Sequence, residues 1–405
     1  MGPAHGFGQT GGVLLVLACI GLLAVANGLR PFRGQLLVVP SFFAAWLTVE
    51  LAPQLLALTV VVTVLLAVFV GVSWLGLVLT ALVVAGLAAM VVQSERAAQQ
   101  ADAALADWPE PVDPADRVTG PRRWFRKLSY KHPDVERIAD VPYGDLGRHR
   151  LDVYRHRSGA NAAPTLLQVH GGAWVIGDKK QQGRPLMNHL AARGWVCFAP
   201  NYRLSPRATW PDHLVDVKRA IAWVREHGAE YGADPGFLVI TGGSAGGHLS
   251  ALAALTQNEP VWQPGFEDAD TSVSACVPYY GVYDLNGETG TTAATVREKR
   301  LLARMVMKTR DRSVYEQASP LTHVSADAPP FFVIHGRNDT LVPVEEARLL
   351  VERLRAVSPN PVLYLELPGT EHAFDVFPSI RSDHVVGAVG RFCELVRVRA
   401  GHVSG

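Results

Sequence analysis

Between positions 12 and 92 the chain carries only three charged residues, Arg30, Arg33 and Glu50. Three apolar runs fill that stretch, 12–29, 41–70 and 72–92. Each is long enough to cross a bilayer as a helix, which takes ~17–25 apolar residues. A water-soluble bundle would show polar residues recurring at helical spacing, and none do. The stretch is too long and repetitive for a removable leader, and no Lys or Arg precedes its first apolar run. The pattern predicts an all-α transmembrane domain over 1–92 with three spans. A four-span alternative splits the middle run into 36–52 and 55–70 at Pro53. With three spans Glu50 lies inside the membrane, where a carboxylate is costly and invites a functional role, or at its interface.

Basic residues set the expected orientation. Arg30 and Arg33 follow the first span; Arg96, and later Arg122, Arg123, Arg126 and Lys127, follow the last. The positive-inside rule then places the first loop and the C-terminal domain on the cytoplasmic side. Three spans satisfy both statements and four do not, so the expectation is a multi-pass plasma-membrane protein with a cytoplasmic C-terminal domain. The four cysteines, Cys19, Cys197, Cys276 and Cys393, have neither disulfide-like nor metal-like spacing, which fits a reducing compartment.

Residues 93–139 read as a linker. The Ala/Gln-rich 93–107 is expected to carry the last helix into solvent until Pro109, Pro111 and Pro114 break it. The stretch 121–131 mixes five basic residues with Trp124, Phe125 and Tyr130. It suits an anionic lipid surface, a helix capping an active site, or a plain solvated helix. A formal net charge of +1, with this as the one basic cluster, gives nucleic-acid binding no support.

Residues 140–400 alternate strand and helix patterns, with strands near 149–155, 165–169, 195–200, 237–241, 275–280, 331–335 and 361–367. The fold class is α/β, with a doubly wound, mostly parallel sheet. Four strand ends carry chemistry. Phe237-Leu238-Val239-Ile240 runs into Thr241-Gly242-Gly243-Ser244-Ala245-Gly246-Gly247-His248. Gly-x-Ser-x-Gly at a strand-to-helix turn holds a serine in tight backbone with its hydroxyl exposed. A second strand ends in His170-Gly171-Gly172-Ala173-Trp174, a loop able to present N–H donors to an oxyanion, together with the N–H of Ala245. A third delivers Asp339 and a fourth His372. Serine, carboxylate and histidine thus follow in chain order at the carboxyl ends of strands. Asp284 and Asp375 are rival carboxylates. His170, His335 and His248 are read as loop-shaping or packing residues. The segment 286–319 fits no sheet element, and its helix-like run 296–307 reads as a small lid or pocket wall.

These motifs, with Asn201-Tyr202-Arg203-Leu204-Ser205-Pro206 and Glu371-His372-Ala373-Phe374, resemble the α/β-hydrolase superfamily, in its hormone-sensitive-lipase-like and carboxylesterase branch. The resemblance covers about 140–400. It departs at Gly243, where that lipase group usually has Asp, and at Ala173, where it has a third Gly. Both variants are more like the feruloyl and acetyl esterase and arylformamidase relatives. The resemblance implies Ser244 as nucleophile, His372 as base and Asp339 as its partner, the last favoured by the family's Asp-x-x-Val-Pro run at 339–343. It also implies an oxyanion hole of Gly172, Ala173 and Ala245, and no metal or organic cofactor. Trp174, Tyr202 and Phe374 are candidates to line an acyl or alcohol pocket, or ordinary core aromatics. The expected activity is a membrane-anchored serine carboxylesterase acting on short- to medium-chain or lipid-derived esters, with membrane lipids as neighbours. A formamidase, deacetylase or acyltransferase would use the same residues. A non-catalytic membrane scaffold is a further alternative, which intact Ser, Asp, His and His-Gly-Gly elements argue against.

Overall fold

The computed structural model describes residues 12–34, 37–110, 131–291 and 298–401. The basic-aromatic residues 121–130 lie outside these.

Four helices open the described chain: α1 (Gly12–Leu29), α2 (Val38–Glu50), α3 (Ala52–Phe69) and α4 (Trp74–Leu105). Three of them, α1, α3 and α4, are long and apolar enough to cross a membrane. The expected middle run 41–70 is not one helix. It breaks at Leu51, where α2 ends and Pro53, in the first turn of α3, starts a new one. With 13 residues, α2 is about 20 Å long, short of the ~30 Å hydrocarbon core. Three spanning-length helices therefore remain, and Glu50 ends a helix that does not span. α1 packs closely on α4: a Cβ at Gly21 would sit 3.0 Å from the Val83 side chain, so a hydrogen there lets the backbones approach.

The α/β part holds an eight-stranded sheet. Its strands are β1 (Val135–Pro142), β2 (Arg150–His156), β3 (Ala163–Val169), β4 (Val196–Pro200), β5 (Ala233–Gly243), β6 (Ala275–Tyr279), β7 (Phe331–Gly336) and β8 (Val362–Leu367), in spatial order β1-β2-β4-β3-β5-β6-β7-β8. The pairs β1–β2 and β2–β4 are antiparallel and the rest parallel. β1 begins at Val135, inside the stretch read from sequence as linker.

Side chains on the central strands alternate between two cores. Leu238 and Ile240 of β5 face one, Phe237 and Val239 the other. The first core is covered by α6 (Asp212–His227), α7 (Ala245–Leu255) and α9 (Val344–Val357). α5 (Arg184–Ala191) and α10 (Ile380–Arg399) cover the second. So does the end of α4, whose Ala97, Ala101, Ala104 and Leu105 are buried in that core. This corrects the expectation that α4 runs on into solvent. Its alanines repeat on one face, and their small size lets the helix lie close against the sheet's covering layer. Asp102 pairs with Arg391 of α10 at 2.9 Å, and Trp108 meets Phe392 edge-on at 5.6 Å.

The 286–319 segment contains a π-helical stretch, Glu298–Val306, and α8 (Arg312–Ala318). Leu302 and Val306 are buried in the first core, and the Val306 carbonyl accepts from the Trp210 N–H at 3.0 Å.

Candidate active site

β5 ends at Gly243 and α7 begins at Ala245, leaving Ser244 as the hinge with φ 59 and ψ −122. L-residues avoid that conformation, which costs on the order of 1–3 kcal/mol and persists only where the surroundings enforce it. They do so here. A Cβ on Gly242 would meet the Val169 and Gly246 carbonyl oxygens at 2.6 and 2.5 Å, so strand and helix can close on the serine only through glycine. The Ser244 N–H donates to the Tyr279 carbonyl at 3.0 Å, and the Ser244 carbonyl accepts from the His248 N–H at 3.0 Å. Ala245 is the first residue of α7, so its N–H is one of the four that a helix leaves without an internal acceptor.

The loop after β3 lies against this hinge. A Cβ on Gly171 would be 2.5 Å from the Gly243 carbonyl oxygen and 3.1 Å from the Ser244 Cβ. The Gly171 N–H is engaged by Gln182 Oε1 at 2.6 Å. Gly172, Ala173 and Trp174 then take positive φ in succession, 115, 52 and 61. The loop is braced from behind. His170 stacks on Tyr202 at 4.3 Å, and the Tyr202 hydroxyl donates to the His170 carbonyl at 3.0 Å. Burial pushes the His170 imidazole down to about 4 despite its hydrogen bond to the Gly171 carbonyl. The ring is therefore a neutral brace. Trp174 Nε1 donates to His248 Nδ1 at 3.2 Å, which leaves His248 Nε2 as the donor to the Ala318 carbonyl at 2.8 Å. That chain ties the His-Gly-Gly loop, the hinge helix and α8 together.

The candidate acid and base meet directly: His372 Nδ1 lies 2.7 Å from Asp339 Oδ2, both buried. The other oxygen, Oδ1, accepts the N–H groups of Leu341 and Val342 at 2.9 and 2.7 Å. His335 Nε2 lies 3.3 Å from Asp339 Oδ2 and 3.0 Å from the Val342 carbonyl. Burial alone would raise the Asp339 carboxyl. The charge of His372 and the hydrogen bonds from His335 and His372 outweigh it and hold Asp339 well below the usual carboxylate range.

The rival carboxylates are engaged elsewhere. Asp284 accepts the N–H groups of Glu288 and Thr289 and the Thr289 hydroxyl at 2.7–3.0 Å, closing its own loop. Asp375 accepts from the Tyr280 hydroxyl.

Tyr280, one residue past β6, connects the two halves of the site. A Cβ on Gly243 would meet its ring at 2.9 Å, and that ring lies 4.5 Å from His372. Its strand-end position was the one sequence signal that marked it. Glu371 was also missed. Its Oε1 accepts the Thr340 N–H at 2.9 Å and the Thr340 hydroxyl at 2.5 Å, while Oε2 is buried without a partner among the described residues. Burial and the nearby charge of Asp339 push the Glu371 carboxyl up to about 8. The aromatics singled out for a pocket are all buried: Trp174 and Tyr202 brace the His-Gly-Gly loop, and Phe374 packs against Tyr279 and Tyr280.

A serine at a strand-to-helix hinge, an adjoining donor loop and a buried Asp–His pair, all at the carboxyl ends of a mostly parallel sheet, define an α/β-hydrolase. Comparison with known proteins agrees. The BD-FAE family matches residues 151–354. The chain is 45% identical over 404 residues to the probable carboxylic ester hydrolase LipM of Mycobacterium tuberculosis, covering 93% of this chain and 92% of that one. It is 48% identical to esterase LipQ of the same organism over 69% of this chain and 65% of that one. Among solved structures, the butyrate-bound esterase Est2 of Thermogutta terrifontis is 26% identical with a TM-score of 0.54, covering 69% of this chain and 99% of its own. The chain belongs to the BD-FAE family of α/β-hydrolases.

Proposed function

We propose that this chain is a membrane-anchored serine carboxylesterase that hydrolyses short- to medium-chain or lipid-derived esters through an acyl-enzyme. Its relatives' names, carboxylic ester hydrolase and esterase, support the ester class. The observation that carries the mechanism is the buried 2.7 Å hydrogen bond from His372 Nδ1 to Asp339, with the Tyr280 ring packed between His372 and Gly243, the neighbour of the strained Ser244. With its proton fixed on Nδ1, His372 offers Nε2 as base. Ser244 Oγ gives its proton to Nε2 as it bonds to the ester carbonyl carbon. The carbonyl oxygen takes the negative charge and is held by the N–H groups of Gly172, Ala173 and Ala245. The imidazolium then protonates the departing alkoxide as the C–O bond breaks, leaving an acyl-serine and a free alcohol. Water, deprotonated by the same nitrogen, releases the acid and restores the serine.

In the same reading, 12–92 form the anchor and 135–401 the catalytic domain, on the cytoplasmic side of the plasma membrane. The hydrogen bond from Asn338 Nδ2 to the Leu29 carbonyl, 3.1 Å, supports this sidedness, because the basic loop with Arg30 and Arg33 then shares the catalytic side. The test is turnover of graded p-nitrophenyl acyl esters by solubilised protein, beside Ser244→Ala and a fluorophosphonate label. Turnover and labelling that both vanish in Ser244→Ala are expected. Labelling without ester turnover would redirect the chemistry to an amide, formyl or transfer substrate. No labelling of folded protein would refute the enzyme reading.

A further inference from the structure

The helix α2 contacts the loop that carries the candidate base. Its Phe42 ring lies edge-on to His372 at 6.3 Å. Trp46 Nε1 donates to the carbonyl of Ala373 at 3.0 Å, and the Trp46 ring stacks on Phe377 at 4.5 Å and on Phe42 at 5.8 Å. At its end, Glu50 forms a buried ion pair with Arg381 and accepts the Ser379 hydroxyl at 2.5 Å. These contacts all fall between 372 and 381.

The other face of α2 is apolar and open. Val39, Phe43 and Leu47, four residues apart, are 53, 50 and 40% exposed, and 38–49 contain no charged residue. α3 starts two residues after α2 ends, and the chain reaches α2 from the end of α1. In the membrane-anchored reading the helix sits where two spanning-length helices leave the bilayer, with its outward stripe toward the lipid surface. Matched at 93% of this chain, the mycobacterial relative shares most of this helical segment. The Thermogutta esterase matches 69%, about the share that the α/β part makes up.

We infer that α2 is a wall of the substrate site. Phe42 and Trp46 position the His372 loop, and they admit an ester whose long acyl chain stays in the bilayer while its carbonyl reaches Ser244. This rests on the carboxylesterase reading and names its substrate class, a bilayer-resident long-chain acyl ester. A chain that must leave the bilayer for an aqueous cleft loses its apolar surroundings. A chain passing an aromatic wall continuous with the bilayer does not.

The experiment uses the full chain in phosphatidylcholine nanodiscs, with p-nitrophenyl butyrate in solution and dioleoylglycerol at a fixed mole fraction in the disc. Rates are normalised to the fluorophosphonate-labelled fraction. Phe42→Ala and Trp46→Ala are expected to lower the ratio of kcat/KM for dioleoylglycerol to that for butyrate at least tenfold, mainly through KM, and Phe42→Leu to restore most of it. Displacement of the His372 loop alone, or a destabilised helix, lowers both substrates together and leaves the ratio where it was. An unchanged ratio in both alanine variants overturns the proposal. A second arm needs no variant: wild-type kcat/KM for acyl esters embedded in nanodiscs is expected to rise from butyryl to palmitoyl, and a fall overturns the wall as a lipid path. Wild-type protein that turns over neither ester, while Ser244→Ala behaves identically, defeats the esterase reading itself.

Discussion

Replacing Asp339 by asparagine tests the candidate site at its most constrained atom. Oδ1 of Asp339 accepts two backbone N–H groups, from Leu341 at 2.9 Å and Val342 at 2.7 Å. An asparagine must keep its carbonyl oxygen there, since turning the amide would aim N–H at N–H. Its NH2 group then occupies the Oδ2 position, 2.7 Å from His372 Nδ1 and 3.3 Å from His335 Nε2. A donor now faces His372 Nδ1, so the imidazole keeps its proton on Nε2 and cannot accept one from Ser244. The fold keeps its backbone hydrogen bonds, so the loss falls on rate. By analogy with the same change in a serine protease triad, kcat falls ~10⁴-fold, about 5.4 kcal/mol of barrier. The assay is steady-state hydrolysis of p-nitrophenyl butyrate by Asp339→Asn beside Asp284→Asn, which is expected to stay within about threefold of wild type because Asp284 accepts from Glu288 and Thr289 of its own loop. A loss below tenfold for Asp339→Asn, with the larger loss at Asp284→Asn, would refute the assignment.

Three further outcomes are expected. Gly171→Ala places a methyl 2.5 Å from the Gly243 carbonyl and forces the donor loop away from Ser244, so kcat should fall about 10²–10³-fold with KM little changed; wild-type kcat would refute it. Glu50→Ala strands the buried Arg381 guanidinium, whose Nη2 has no partner among the described residues, and should destabilise by about 3–5 kcal/mol in thermal unfolding, with Glu50→Ala/Arg381→Met milder; equal losses would show that the pair is not the cause. Glu371 is pushed up to about 8 from an ordinary 4.5, so the folded state keeps a proton that the unfolded chain releases. The contribution of Glu371 to stability is then full below about pH 4.5 and declines as pH rises toward 8; Glu371→Gln should flatten that decline in the thermal midpoint, and parallel curves would refute it.

What could be read from sequence divides by the range of the interactions involved. The serine hinge was legible because its requirement is local: Gly242 and Gly246 are glycines for close approaches within a few residues and to one neighbouring strand. The strands of the parallel core were legible as short apolar runs. β1 was not, because it is an edge strand in which only Val135 and Val141 are buried, and pairing with β2 organises it. The tail of α4 was misjudged because an alanine stripe suits water or a close helix contact equally well, and only Phe392 and Arg391, nearly 300 positions on, decide between them. Pro53 marked a helix break, but nothing near it in the chain indicated that Glu50 would meet Arg381.

That last pair bears on how the apolar helices and the candidate site are joined. A carboxylate at the end of an apolar helix is tolerated in a lipid setting only with a partner, and its partner here is the first turn of the helix that follows the His372 loop. Removing water from both charges is costly, so the pair adds less to stability than to where α2 must stop. With Glu50 held by Arg381 and Ser379, the helical rise places Trp46, one turn earlier, at the Ala373 carbonyl, and Phe42, two turns earlier, beside the imidazole. The spacing Phe42, Trp46, Glu50 is thus one helical face with three attachments to the segment that positions the base. In the proposed mechanism, proton transfer from Ser244 tolerates little displacement of that imidazole, so whatever tilts the apolar helices relative to the sheet should act on kcat before it unfolds the protein.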